Sequence, residues 1–200
     1  MIRWIAVVAA LALQPGGHAG PPLQAPAAAV RVLLETELGR ITLEVDAARA
    51  PITAANFLKY VHGGFYDGGR FHRTVRPDTE TRTDAPIEVV QAGINPARAP
   101  EAFPAIALER TSVTGLKHVD GALSMARNGA DTARSDFFIC IGDQPSLDFA
   151  GARNADGQGF AVFGRVVEGM DVVRRIQRAT VREKTQNLEP PISITRATVP

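Results

Sequence analysis

The chain has 200 residues, 45% of them hydrophobic, and 22 basic and 21 acidic side chains give a formal charge of +1. That length suits one globular domain, and charges of both signs are interspersed, so no basic tract marks nucleic-acid binding. Four histidines (His18, His62, His72 and His118) lack ligand spacing, which argues against a metal centre.

The N-terminus reads as an export signal. Arg3 supplies a positive start, Trp4 to Leu13 form an uninterrupted apolar run of ten, and Pro15, Gly16 and Gly17 break it. Gly17-His18-Ala19 offers small residues where a signal peptidase reads, so cleavage is expected after Ala19, leaving a neutral remainder. Ten apolar residues are too few to span a hydrocarbon core of ~30 Å as a helix. Residues 20–29 hold three prolines and four alanines and read as a flexible lead-in, with the folded domain expected over residues 30–200. Such a protein would be periplasmic or secreted, where disulfides form. Cys140 is the sole cysteine, so no internal disulfide exists, and its apolar strand marks it as a small buried hydrophobe.

Val30 to Glu37 and Arg40 to Val45 are β-rich runs around Gly39, a hairpin signal. Ile41, Leu43 and Val45 alternate with Arg40, Thr42 and Glu44, giving the second run one apolar face. Pro51 to His62 predicts a helix with Pro51 in its first turn and an inward stripe of Ile52, Ala55, Phe57, Leu58 and Val61. Gly63-Gly64 ends it. Strands are expected over Phe71 to Val75, Ile87 to Ala92, Ala122 to Ala126, Phe137 to Ile141 and Phe160 to Val167. Asp171 to Arg178 predicts a second helix, with Val172, Val173 and Ile176 inward and Arg174, Arg175 and Arg178 outward, and Ile192 and Ile194 belong to a closing strand. Arg76 to Pro86 holds five charged residues and almost nothing apolar, so a solvated loop is expected there. Many short strands with Gly/Pro-rich connections indicate a β-barrel or a β-sandwich, which composition alone does not separate.

Two segments carry more. One is Phe71-His72-Arg73, continued after the polar stretch by Val89-Val90-Gln91-Ala92-Gly93. The other runs Gly121-Ala122-Leu123-Ser124-Met125-Ala126-Arg127 and then Ser135-Asp136-Phe137-Phe138-Ile139-Cys140. Together they resemble the cyclophilin family of peptidyl-prolyl isomerases, over about Val30 to Ala197. The resemblance implies a mostly β fold, an eight-stranded antiparallel closed barrel capped by two α-helices. It also implies rotation of X-Pro bonds in unfolded or flexible polypeptides, with no cofactor. A near-neutral mature domain with a small folded core is most simply a monomer.

Amide rotation is slow because nitrogen donates its lone pair into the carbonyl, a barrier of ~18–20 kcal/mol. In the half-turned state the prolyl nitrogen regains that pair, so a hydrogen-bond donor aimed at it favours this state over both planar ones. Arginine suits the task because it stays charged at ordinary pH and presents several donors. By the resemblance Arg73 is the catalytic arginine, and Gln91 binds substrate backbone and orients it. Phe138 becomes the floor of the proline pocket, Leu147 and Val89 its walls, and Phe160 stands where many relatives carry histidine or tyrosine. The main chain of Ala126 and Arg127 is expected to pair with extended peptide. Strand alternation agrees with this division, placing Phe137 and Ile139 on one face and Phe138 on the other.

Some positions depart from the pattern. Aligned on Gln91, Glu88 falls where the family carries a pocket phenylalanine, and a carboxylate there would pair with Arg73. A bulge would bring Ile87 into that space instead. Asp136 stands where most relatives have glutamine, Ser146 where the best-studied members have tryptophan, and Arg73 and Gln91 are unusually far apart in sequence. These departures leave a second reading open, a proline-peptide-binding or chaperone module with weak catalysis. A cysteine hydrolase built on Cys140 with His118 or His72 lacks any group to activate the thiol.

Overall fold

The computed structural model describes residues 29–200. The expected export signal over 1–19, and all of the expected lead-in except Ala29, lie outside the described residues. Eight strands run β1 (Val30–Thr36), β2 (Gly39–Val45), β3 (Gly69–Val75), β4 (Val89–Gly93), β5 (Ala122–Met125), β6 (Phe137–Cys140), β7 (Ala161–Glu168) and β8 (Asn187–Thr198). They close into a barrel in the order β1-β2-β7-β5-β6-β4-β3-β8, every pair antiparallel. Closure leaves no exposed sheet edge, which short strands otherwise present as unpaired N–H and C=O groups. Among the described residues no helix is long and apolar enough to cross a membrane.

Alternation fills the barrel as the sequence predicts. Val32 and Leu34 of β1, and Ile41, Leu43 and Val45 of β2, are fully buried. Phe71, Phe137 and Phe163 join them from β3, β6 and β7, and Phe137 meets the rings of Phe57, Tyr66 and Phe71 at centroid distances of 5.4, 5.5 and 6.3 Å. Gly164 lets β7 approach β2 closely, since a Cβ there would stand 2.3 Å from the Glu44 carbonyl oxygen.

Two helices cover the ends. α1 (Pro51–His62) follows the end of β2, and Phe57 plugs that end of the core. A one-turn helix, α2 (Thr111–Thr114), lies between β4 and β5, and α3 (Met170–Gln177) packs where β2 begins and β3 ends. α3 buries Val172, Val173 and Ile176 and turns Arg175 and Arg178 outward, as expected. The expected face of α1 needs correction: Ile52 is 46% exposed and Ala55 is exposed, while Thr53, Ala54, Asn56, Phe57, Tyr60 and Val61 are buried. The cause is polar. Glu109 caps the helix, accepting from the Ile52 and Thr53 N–H groups (3.1 and 2.8 Å) and the Thr53 hydroxyl (2.6 Å), and Asn56 donates to the Arg134 carbonyl at 2.6 Å. Satisfied polar side chains can be buried, so the stripe rotates toward them.

The loop 76–86 also corrects its expectation of simple solvation. Arg76 donates to the carbonyls of Gln177 (2.6 Å) and Ala179 (3.1 Å). The Glu80 side chain, only 5% exposed, pairs with Arg153 at 2.7 Å. It also accepts from the backbone N–H groups of Thr81, Arg82 and Ile87 at 2.8, 2.9 and 3.1 Å. Arg82 donates in turn to the carbonyls of Ala152 and Arg153. The loop is thereby clasped to the segment after Leu147.

Candidate active site

The site is a single register row on the outer wall of the barrel. Arg73 of β3 lies opposite Gln91 of β4, Gln91 opposite Phe138 of β6, and Phe138 opposite Ser124 of β5. Residues directly opposite on neighbouring strands point to the same side, so four separate stretches of chain deliver their side chains to one strip. Arg73 joins it only because of an irregularity. Strict alternation would send Arg73 to the same side as Phe71, which is in the core. The β3–β4 register shifts between Phe71 and Arg73, pairing Phe71 with inward Ala92 and Arg73 with outward Gln91. His72 is the extra residue of this bulge.

Around this strip lies a groove of about 470 Å³, lined by Arg73, Ile87, Val89, Gln91, Ala126, Arg127, Asp136, Phe138, Leu147 and Phe160 among others. Phe138, 5% exposed, meets Phe160 edge-on at 5.3 Å. Beneath it, His118 stacks at 6.0 Å with an interplanar angle of 12°. His118 Nδ1–H donates to Asp148 at 2.8 Å, and its Nε2 faces the Ser124 hydroxyl at 3.0 Å. Burial lowers the His118 pKa, outweighing the pull of Asp148 toward the charged form. The neutral ring thus anchors the underside of the aromatic floor.

Arg73 is held by neutral groups. Its Nη1 donates to Gln91 Oε1 at 3.0 Å, and its Nε and Nη2 donate to Gln186 Oε1 at 3.0 and 2.5 Å. A guanidinium has five N–H groups, so two remain for a ligand. Burial, with Arg153 nearby, lowers the Arg73 pKa, and Glu80 opposes this. No sequence motif marks Gln186, an isolated glutamine in a polar stretch.

All of the expected pocket residues except Glu88 meet in the groove. Glu88 faces the other way and accepts from Gln177 Nε2 at 2.7 Å. Alternation explains this, since Ile87, Val89 and Gln91 share one side of the strand and Glu88 the other. Ile87 supplies the apolar wall, and the expectation that Glu88 would pair with Arg73 is not met. Asp136 does stand in the groove wall, where it accepts from Gln91 Nε2 at 3.4 Å and lies 3.6 Å from His72 Nε2. Gly93 makes room for it, because a Cβ there would come 2.5 Å from Asp136 Oδ1. The side chain of Arg127 is turned to structural use. It grips Asp156 through two bonds of 2.7 and 2.9 Å and the Gly159 carbonyl at 2.7 Å, and stands 5.2 Å over the Phe160 ring. Cys140 is fully buried, and desolvation pushes its thiol far above the ordinary range, which removes it as a nucleophile. Among the described residues, no group of three or more His, Cys, Asp or Glu could hold a metal ion.

The closed β-barrel thus carries on its outer wall a cationic donor beside an aromatic-floored groove. Residues 31–199 match the family model described as cyclophilin type peptidyl-prolyl cis-trans isomerase/CLD. The chain is 35% identical over 170 residues to peptidyl-prolyl cis-trans isomerase A of Dickeya dadantii, covering 84% of this chain and 80% of that one. It is 37% identical over 146 residues to a peptidyl-prolyl cis-trans isomerase of Acinetobacter baylyi, covering 72% and 70%. A crystal structure of a cyclophilin-type isomerase from Cryptosporidium parvum superposes with a TM-score of 0.69 at 19% identity, covering 86% of this chain and 98% of that one. A second structure of that protein, solved in the presence of the dipeptide Ala-Pro, gives 0.68 at 19% identity over 85% and 98%. The chain belongs to the cyclophilin-type peptidyl-prolyl cis-trans isomerase family.

Proposed function

We propose that this protein is a peptidyl-prolyl cis–trans isomerase of exported polypeptides in which Arg73 favours the half-turned X-Pro bond. The observation that carries the reading is Arg73 held between two amide oxygens beside the Phe138 floor, with two N–H groups unspent. The proline ring packs on Phe138 between Leu147, Val89, Ile87 and Phe160. The flanking chain runs extended along Ala126 and Arg127, and Gln91 meets substrate backbone. An Arg73 N–H then bonds the prolyl nitrogen as it becomes pyramidal. A hydrogen bond to a charged group contributes ~1.5–3 kcal/mol, and if made only in the transition state it speeds exchange roughly 10- to 100-fold. The apolar walls hold the ring and strengthen that bond.

The charge-apolar-small pattern of residues 1–19 supports export, so the clients are X-Pro segments of polypeptides folding in the periplasm or outside the cell. Every side chain the proposed mechanism uses lies in this chain, so one copy holds the whole site.

NMR exchange spectroscopy on a proline peptide tests the reading. Wild type should accelerate cis–trans exchange, and Arg73→Ala should lose most of the acceleration while still binding the peptide. Binding without acceleration by wild type would favour the proline-binding module, with Asp136 as the departure to reverse first.

A further inference from the structure

Gln186 lies 113 residues from Arg73 in sequence, at the foot of β8, where Asn187 is the register partner of Arg73. Its backbone carbonyl accepts from the Thr74 N–H at 2.8 Å. Its side-chain oxygen takes two of the three guanidinium bonds, and its Nε2 donates to the Thr79 carbonyl at 3.0 Å. Both ends of the amide are therefore committed. Flipping it would set an NH2 against the guanidinium and an oxygen against a carbonyl, so one orientation is enforced. On its far side Arg73 borders a second hollow of about 610 Å³, lined also by Thr79, Glu80 and Gln186. Arg73 thus forms a wall between that hollow and the groove, and Gln186 keeps it from swinging through.

The neutrality of this holder matters as much as its reach. A carboxylate bonded to Arg73 would attract the charge that the prolyl nitrogen must draw on. The nearby acids are engaged elsewhere, Glu80 by Arg153 and backbone N–H groups and Asp136 by Gln91 Nε2. Two amide oxygens fix the direction of the guanidinium and leave its charge unneutralised.

We propose that Gln186 is a positioning residue for prolyl isomerisation, aiming Arg73 into the groove and tying that aim to the loop 76–86 through the Thr79 carbonyl. The inference rests on the role of Arg73 given above. Its consequence is that displacing Thr79 shifts the catalytic cation, so the loop bears on the rate without touching substrate.

The test compares wild type, Gln186→Met, which fills the space without an acceptor, and Gln186→Asn, whose amide falls one methylene short. Arg73→Ala and the double variant Arg73→Ala/Gln186→Met complete the set. Catalysed exchange gives kcat/KM, and peptide titration gives Kd. Both Gln186 variants should lose about 10- to 100-fold in kcat/KM, the scale of a misplaced catalytic group, with Kd within about threefold of wild type. In the Arg73→Ala background the second change should cost nothing further, because nothing is left to aim. Wild-type rates in the Gln186 variants would overturn the inference while leaving Arg73 standing. So would a loss that persists in the Arg73→Ala background, which would mark a purely structural role. Wild-type rates in Arg73→Ala alone would overturn the role of Arg73 itself, and this inference with it.

Discussion

Replacing Glu80 by glutamine removes a charge and almost no volume, so it isolates what that charge does. Glu80 Oε1 accepts from the N–H groups of Thr81 and Arg82, and Oε2 accepts from the Ile87 N–H and Arg153 Nη1. A glutamine keeps one acceptor oxygen and turns its NH2 toward the other pair of donors, whichever way it lies. Two charge-assisted bonds at ~1.5–3 kcal/mol each are lost, and Arg153, 12% exposed, is left with no anion. Breaking a buried pair in this way costs about 3–5 kcal/mol. At ~2–4 °C per kcal/mol for a domain of this size, Glu80→Gln should lower Tm by roughly 6–20 °C. Ile87 and Arg153 line the groove, so exchange catalysis should fall as well. Burial raises the Glu80 pKa, but the bonds from Arg82, Ile87 and Arg153 outweigh it and the net shift is downward from 4.5. The wild-type advantage is therefore complete above pH 4.5 and fades as pH falls through the lower folded value. Thermal unfolding with amide hydrogen exchange at Arg82 and Ile87 checks this. A Tm within about 2 °C of wild type, with both amides equally protected, would refute the reasoning.

Three further expectations follow from the same geometry. The His118 pKa is lowered from 6.5 by burial, so the unfolded chain takes up the proton first. Its contribution to stability is intact above pH 6.5 and declines as pH falls toward the folded value, by at most ~1.4 kcal/mol per pH unit. Denaturant unfolding of wild type and His118→Gln across pH 4.5–8 should show that extra slope in wild type alone. Glu88→Ala should leave catalysed exchange within about twofold, because its carboxylate meets Gln177 and not the groove; a clear gain in rate would return Glu88 to the pocket. Cys140 should resist iodoacetamide in the native protein and react once urea unfolds it, as mass spectrometry would show.

Much of the barrel was legible because burial on one face imposes a period of two. Ile41, Leu43 and Val45, or Phe137 and Ile139, announce their side directly, and Val172, Val173 and Ile176 do the same at helical spacing. Three kinds of feature were hidden. Pro190 and Pro191 masked the first half of β8. They fall between Asn187 and Ile192, where the ladder to β3 is interrupted and their missing N–H groups cost nothing. The outward turn of Arg73 depends on the bulge at His72, and no local composition marks a single extra residue. Glu80 reads as solvated and Gln186 carries no signal at all, because polarity is visible in a sequence and the partners that permit burial are not. Glu88 turns away from the groove because the parity that places Gln91 and Val89 there sends it to the opposite side.

The row that makes the site has a temporal consequence. Its members come from β3, β4, β5 and β6, and Gln186 arrives with β8, which also closes the barrel by pairing with both β1 and β3. Such long-range pairings form late, since the loops between them must be closed first. The last of the eight described strands in chain order is thus the one that seals the cylinder, and Gln186, which bonds Arg73, immediately precedes it. A partly made or partly unfolded copy has hydrophobic strands but no working groove. The onset of turnover in a refolding sample would clock the moment of closure.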